Sequence, residues 1–519
     1  MTAISTETLY RKFLKRTGFE EKPFQLTCFK WCWQRENAPS SPAGGILSLE
    51  MGLGKTVMML ALMESNFKRR TLIVLPCALL DQWEKIIIRT FGYQPLVYHG
   101  SRPQNKKLTL EDIMTYPIVL TSYGQVSQPS EKQEDRGRRR SLLCSIQWDR
   151  LICDEAHNVS HRTTNDYKGL SEVKAQIIWL VTGTPLQNSR YELATLFILL
   201  GLPKPKPSEM TKEIETYMFY LTKAAAGIQL PALEENTTAV AWENRTEKKL
   251  SANIHSYLSF CNVSRENRVD AHADAPAADA PPAAAAAMDI NAARSLRMKF
   301  MTKAKQVCIY PPLLRKKTAF QFTEPDPAEP AETEPAEIAV LTENRFRVDA
   351  YASKINAVIE TLSTRLYNGC GKIIFCHYTE EIDEIARRLS VYEDISIAKF
   401  DGRVPRSKRE AMLITPVTVL IAQVKMCREG LNLQEHYSEV YFPSPDFNPA
   451  VENQAIARCW RIGQQKPVKV FRFLMNEPTD TAEAVPEMRA VYSMDTYSQL
   501  LQMKKRDLIA EVEAISAGG

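Results

Sequence analysis

Two stretches of the chain carry short, nearly uninterrupted apolar runs separated by amphipathic segments. The first holds TLIVLP (71–76), PIVLTS (117–122), RLICDE (150–155) and IIWLVTGT (177–184). The second holds KIIFCHY (372–378), SIAKFDG (396–402), VTVLIAQ (417–423), EVYFPS (439–444) and VKVFRF (468–473). Runs this short, apolar at successive positions rather than alternate ones, predict strands buried on both faces, as in a parallel sheet. Amphipathic stretches between them predict crossover helices, so the pattern reads as two series of βαβ units. Each run ends in polar or small residues, and in an open α/β sheet ligands lie beyond the carboxyl ends of the strands.

Between the two series the pattern breaks. DAHADAPAADAPPAAAAAMD (270–289) and TEPDPAEPAETEPAEIA (323–339) have almost no large apolar residues. Segments of this kind cannot bury enough surface to offset the entropy of ordering, and they read as flexible insertions. Residues 206–260 and 294–317 read as helical, basic and protruding. The expected architecture is an α/β fold of two parallel-sheet lobes, 1–205 and 346–519, with helical protrusions and Ala/Pro/acid-rich insertions over 206–345.

Composition changes this picture little. The 519 residues are 44% hydrophobic, enough for two cores, and the 66 basic against 61 acidic residues leave a net charge of only +5. Affinity for nucleic acid must therefore come from the placement of charge. The 11 cysteines lack repeated C-x-x-C pairs and point to reduced thiols in an intracellular protein. No apolar run approaches the length needed to cross a bilayer, so no membrane association is expected.

The strand ends hold the candidate chemistry. LSLEMGLGKTVMML (47–60) ends like a phosphate-binding loop, although Leu49 stands where the G-x-x-x-x-G-K-[ST] pattern has its first glycine. Gly52 and Gly54 are placed to let backbone N–H groups surround phosphate at a helix N-terminus, with Lys55 near the β- and γ-phosphates and Thr56 on Mg²⁺. At the exit of a later strand, Asp154 supplies the carboxylate that Mg²⁺ needs, and Glu155 can orient or deprotonate an attacking water. ATP and Mg²⁺ are the ligands this set implies.

With DEAH (154–157), LVTGTPLQN (180–188), KPFQLTCFKW (22–31) and IVLPCALLDQWEKI (73–86) the chain resembles SNF2-type ATPases of helicase superfamily 2. In that family the phosphate loop has Asp-Glu-Met-Gly-Leu-Gly-Lys-Thr, so a missing first glycine is normal. Here Leu49 replaces the aspartate. FNPAVENQAIARCWRIGQQKPVKVFRF (447–473) resembles the family's motif VI. The resemblance implies two RecA-like lobes, Gln25 as the reader of adenine, and Arg458 and Arg461 as arginine fingers. It also implies Thr182, Gly183, Thr184 and Gln454 as the residues that couple the lobes. Three residues apart, the two arginines are expected to share a helix face.

The implied activity is DNA-stimulated ATP hydrolysis with translocation on double-stranded DNA. Contacts would fall mainly on the backbone, from RGRRR (136–140), RVPRSKR (403–409) and RKK (315–317). Expected settings are transcription, remodelling or genome maintenance, with transcription or chromatin proteins as partners. The place is the nucleus, or a host nucleus or viral replication site, since compact forms of this motor resemble those of large DNA viruses. Two other readings stay open: a strand-separating helicase or RNA-dependent ATPase, and a nucleic-acid-binding scaffold whose motor has decayed. The second is motivated by Leu49 and by Cys427 and Arg428, where motif V ordinarily has a glycine pair.

Overall fold

Each lobe is organised by one wholly parallel sheet. The computed structural model describes residues 5–37, 42–100, 102, 105, 107–130, 133, 140–184, 190–206, 208–255, 290–317, 352–429, 431–477 and 493–517. In lobe 1 the strands are β1 (Ala43–Leu49), β2 (Thr71–Leu75), β3 (Leu96–Tyr98), β4 (Ile118–Ser122), β5 (Trp148–Asp154), β6 (Ala175–Thr182) and β7 (Met218–Leu221). They lie in the order β3-β4-β2-β5-β6-β1-β7. Lobe 2 is built from β8 (Leu233–Val240), β9 (Gly371–Cys376), β10 (Ile397–Phe400), β11 (Val419–Gln423), β12 (Tyr437–Phe442) and β13 (Val468–Met475), in the order β10-β11-β9-β12-β13-β8.

The apolar runs are explained by what covers the two faces of each sheet. Along β2, Ile73 and Leu75 enter one core while Leu72 and Val74 enter the other. Along β9, Ile374 and Cys376 face one core and Ile373 and Phe375 face the opposite one. Successive side chains point to opposite sides of a strand, so burial on both sides demands an apolar residue at nearly every position. The nine strands expected from those runs are all present.

The stretch 206–255 departs from its expected helical, protruding character. After the helix Met210–Tyr217 it supplies β7, which pairs with β1, and then β8, which pairs with β13. Lobe 1 thus extends to residue 221 and lobe 2 begins at 233. The reason for the difference is that β8 is a sheet-edge strand, LEENTTAV, exposed at most positions, and its polar sequence hides its pairing. The helix Ile290–Ile309 is helical as expected, but it does not protrude: Ala304, Val307 and Cys308 are buried in the lobe 2 core. The Ala/Pro/acid-rich segments 270–289 and 323–339 lie outside the described residues.

Register places the chemistry. β6 lies between β1 and β5, with Ser48 opposite Thr182 and Asp154 opposite Val181. The loop after β1, the threonine ending β6 and the aspartate ending β5 therefore open together at the carboxyl end of the sheet. Among the described residues no helix is long and apolar enough to cross a membrane.

Candidate functional site

The loop after β1 runs through Glu50–Gly54 into the helix Lys55–Ser65. Gly52 and Gly54 have φ of 92° and 90°, a left-handed conformation that a side chain would disfavour by about 1–2 kcal/mol. At Gly54 an added Cβ would also sit 2.5 Å from Gln25 Nε2. Gln25 lies beneath the loop: its Nε2 donates to the Leu53 carbonyl at 3.0 Å, and its Oε1 accepts from the Tyr10 hydroxyl at 3.0 Å. The described contacts of its amide are thus with the loop and its support. Leu49, the unusual residue of the sequence pattern, has its side chain fully buried in the core, and its carbonyl accepts from Lys55 Nζ at 2.9 Å. Thr56 follows in the first turn of the helix.

Asp154 ends β5 and is buried. Its Oδ2 accepts from Trp83 Nε1 at 2.8 Å and its Oδ1 from the Glu155 N–H at 3.0 Å. Burial, followed by the neighbouring Glu155 charge, pushes its carboxyl up to about 6. Glu155 is the one non-glycine residue with positive φ among the described residues, at 52°. Strain of this kind, costing about 1–3 kcal/mol, persists where the surroundings dictate it. Burial would raise the Glu155 carboxyl, but His157, Lys55 and Arg458 together outweigh burial and hold it well below its ordinary value. His157 Nδ1 lies 3.3 Å from Glu155 Oε2 and 3.1 Å from Thr182 Oγ1, and Thr182 Oγ1 accepts from the Thr184 N–H at 3.2 Å. This joins the acidic pair to the end of β6. Gly183 comes close to the same lysine: a Cβ there would lie 3.0 Å from Lys55 Nζ.

Lobe 2 contributes Arg458 and Arg461. The expectation that they share a helix face is not met. The helix Pro449–Ile456, which carries the buried Gln454, ends before them, and both arginines lie in the turns that follow. The Gln464 side chain donates to the carbonyls of Tyr437 and Cys459 at 3.1 and 3.2 Å, tying the turn back to the sheet, and Gly463 has φ of 99°. Arg458 is near enough to act electrostatically on both Lys55 and Glu155 of lobe 1. Arg461 bonds Asn432, and its Cβ lies 3.9 Å from where a Cβ on Gly52 would be. Burial and then the Arg458 charge lower the Arg461 guanidinium, and its Nε is buried without a hydrogen-bond partner. The Lys55 ammonium is likewise lowered by burial, opposed by Glu155 and Asp154.

These groups suit a nucleoside triphosphate with Mg²⁺. Glycine-shaped N–H groups, Lys55 and two guanidiniums, one with an orphaned Nε, call for an anion. Asp154, held above its normal range by burial, gains from a cation. Thr56 and Asp154 as the protein's two oxygen ligands fit Mg²⁺, which keeps its waters and takes phosphate oxygens for the rest.

The expected nucleic-acid contacts fare differently. Arg403 is committed to Asp383 and Asp401, with bonds of 2.7 Å to each. Residues 136–139 lie outside the described residues, as do the side chains of 315–317 and of Arg406. Cys427 and Arg428 fall in a short 3-10 turn, Val424–Glu429, with their side chains not described, and Gly430 is likewise outside.

Sequence reasoning missed Tyr10, Asn432 and Lys223. Lys223 contacts Glu50 at 3.0 Å, and only its place after a short strand could have marked it. Trp83, the partner of Asp154, stands in the IVLPCALLDQWEKI stretch that carried the resemblance.

Comparison with known proteins finds the SNF2-related domain over residues 24–266 and the helicase conserved C-terminal domain over 353–463. The chain is 23% identical to a chromodomain-helicase-DNA-binding protein 1-like of Mus musculus, over 94% of this chain and 50% of that protein. It is 24% identical to the ATP-dependent DNA helicase DDM1 of Arabidopsis thaliana, over 90% of this chain and 60% of that protein. It thus spans about half the length of these curated relatives. Among solved structures, the SWI2/SNF2 ATPase core of Sulfolobus solfataricus in complex with dsDNA aligns over 88% of both chains at 18% identity, with a TM-score of 0.37.

Proposed function

Because the chain is an SNF2-type, helicase-like protein of superfamily 2, with an SNF2-related domain followed by a helicase conserved C-terminal domain, we propose that it hydrolyses ATP in the cleft between its lobes. The observation that carries this reading is that the arginine turn of lobe 2 meets the phosphate loop of lobe 1, with Arg461 Cβ 3.9 Å from where a Cβ on Gly52 would be. A phosphoryl group held by the loop would be bound by the cations Lys55, Arg458 and Arg461, with Glu155 as the ionised carboxylate for the attacking water.

The roles follow from position and charge. Gly52, Gly54 and Lys55 bind the phosphates, and Thr56 and Asp154 hold Mg²⁺, which neutralises phosphate oxygens when bound. Glu155, kept ionised, orients the attacking water and accepts its proton. Arg458 and Arg461 stabilise charge on the transferring group, an effect of about 10³-fold or more in rate. Because they belong to lobe 2, their contribution depends on closure of the cleft. Gln25 braces the loop and borders the nucleotide, and Thr182–Thr184 and Gln454 couple the lobes. We assign double-stranded DNA as the stimulating ligand and translocation as the work done, on the strength of the family. From the relatives' names, a chromodomain-helicase-DNA-binding protein and a DNA helicase, we take work on chromatin DNA in the nucleus as the setting.

The test is the ATPase rate with and without duplex DNA. Wild type should be DNA-stimulated, Lys55→Ala and Glu155→Gln should fall to background, and Arg461→Ala should lose about 10³-fold in rate while still binding nucleotide. Equal rates in all four proteins would refute the reading.

A further inference from the structure

Lys223 sits just beyond β7, with 4% of its surface exposed. Burying an ammonium costs several kcal/mol unless the surroundings replace its water. The replacements come from two lobes. From lobe 1, Glu50 Oε1 lies 3.0 Å from Nζ, and Glu50 Oε2 also accepts the Lys223 backbone N–H at 2.7 Å. From lobe 2, the Trp460 carbonyl accepts from Nζ at 3.3 Å, and the indole ring of the same residue lies 4.8 Å below it. Trp460 is itself pinned, its Nε1 donating to the Pro231 carbonyl at 2.8 Å.

Both partners are placed where the reaction would occur. Glu50 opens the phosphate loop, and its N–H donates to the Leu221 carbonyl at 2.9 Å, so the loop is clamped to residues 221–223 at two points. Trp460 stands between Arg458 and Arg461 in the same turn. A Cβ on Gly52 would lie 4.0 Å from Lys223 Cε and 3.9 Å from Arg461 Cβ. Phosphate loop, lysine and arginine turn therefore meet at one point.

We infer that Lys223 is a positioning residue that latches the arginine turn of lobe 2 to the phosphate loop of lobe 1, so that a correctly set loop favours the closed, arginine-bearing cleft. The lobe 2 contacts exist only in the closed arrangement, and on opening the ammonium returns to water with Glu50 alone. Its placement depends on the Glu50 carboxylate, so a displaced loop withdraws the latch. The neighbouring Leu49 side chain fills the core and takes no part in this clamp. This inference rests on the ATPase reading above, and its test separates the two.

The full-length chain is labelled with a donor dye on lobe 1 and an acceptor on lobe 2. The closed fraction is measured with and without ADP–beryllium fluoride, beside kcat and KM for ATP with duplex DNA. Lys223→Met should cut the closed fraction and kcat by about tenfold, the factor that about 1.4 kcal/mol represents, while ADP affinity stays at the wild-type level. Lys223→Arg keeps the charge and stacks on an indole, so it should recover most of both. Trp460→Phe should lower the closed fraction in wild type but add little to Lys223→Met, because the two residues form one contact. A wild-type closed fraction in Lys223→Met overturns the latch, as does a wild type that never closes. So does a loss of ADP binding and thermal stability shared by the Met and Arg variants, which would make the residue structural. A wild type that closes but hydrolyses no ATP refutes the ATPase reading alone, and the closed fractions still judge the latch.

Discussion

Asp154 and Glu155 are adjacent carboxyls that the fold drives apart, and the difference has a measurable sign. Glu155, held down by His157, Lys55 and Arg458 against the effect of burial, contributes stability above its unfolded pKa that is lost as pH falls. Asp154 behaves oppositely. Its folded value of about 6 lies above the ordinary aspartate value of 3.8, so the folded protein binds more protons than the unfolded chain between those two pH values. Stability therefore falls as pH rises through that window, and above it a constant penalty on the order of 3 kcal/mol remains. Asp154→Asn removes this penalty, because its amide oxygen can still accept from Trp83. Without nucleotide and Mg²⁺, the variant should melt several degrees above wild type at pH 7.5, and the gap should close as pH is lowered to 4. A gap of constant size, or a less stable variant at pH 7.5, would show that burial does not penalise this carboxylate. The trade of stability for a cation-seeking carboxylate fits the Mg²⁺ site proposed above.

At the scale of elements, the helix Pro23–Asn37 is fastened to the sheet by a buried ion pair. Arg150 of β5 makes two 2.6 Å bonds to Glu36, whose carboxylate also accepts from Trp179 of β6 at 2.8 Å and from Asn66 at 2.7 Å. Removing one partner strands the other charge in the interior, which costs about 3–5 kcal/mol. Glu36→Ala should lower the unfolding free energy by that amount in a denaturant titration, while Glu7→Ala, which breaks solvent-exposed pairs with Arg11 and Lys30, should change it by about 1 kcal/mol or less. Equal losses would mean that Arg150 finds other partners. Neither the pair nor its depth is visible in sequence, since Glu36 reads as an ordinary polar helix position 114 residues from Arg150. The central strands were legible because both faces are covered, which forces apolar residues at successive positions. The edge strand β8 was not, because only one side of it pairs and its side chains meet water. That Lys55 opens a helix after a glycine turn and that Asp154 ends a strand could be read from spacing and strand context. The helical spacing of Arg458 and Arg461 misled, since the turn that carries them after the helix is held by a tertiary contact, Gln464 to the Tyr437 carbonyl.

Over the whole molecule, the chain crosses between the lobes more than once. It leaves lobe 1 after β7 and enters lobe 2 at β8, and its last helix, Met494–Ala517, comes back. The first part of that helix belongs to lobe 2: Asp495 pairs with the buried Lys354, and Lys505 Nζ donates to the Phe447 carbonyl at 2.6 Å. Further along, Ile509 packs against the lobe 1 core that includes Ile214 and Met218. The helix is thus a strap whose two ends serve different lobes, and it restrains opening independently of Lys223. Ile509→Asp should release the lobe 1 end while leaving the Asp495–Lys354 pair intact. Losing a half-buried isoleucine contact of about 1 kcal/mol would shift the open-to-closed ratio about fivefold. The expected result is a larger radius of gyration in solution scattering without nucleotide, and a lower ATPase rate recovered in part by saturating ATP, since bound nucleotide favours closure. The melting of lobe 2 should not move, because its core is untouched. If scattering stays unchanged, the helix rides on lobe 2 alone, and the closed cleft depends on the contacts around Lys223 and Trp460.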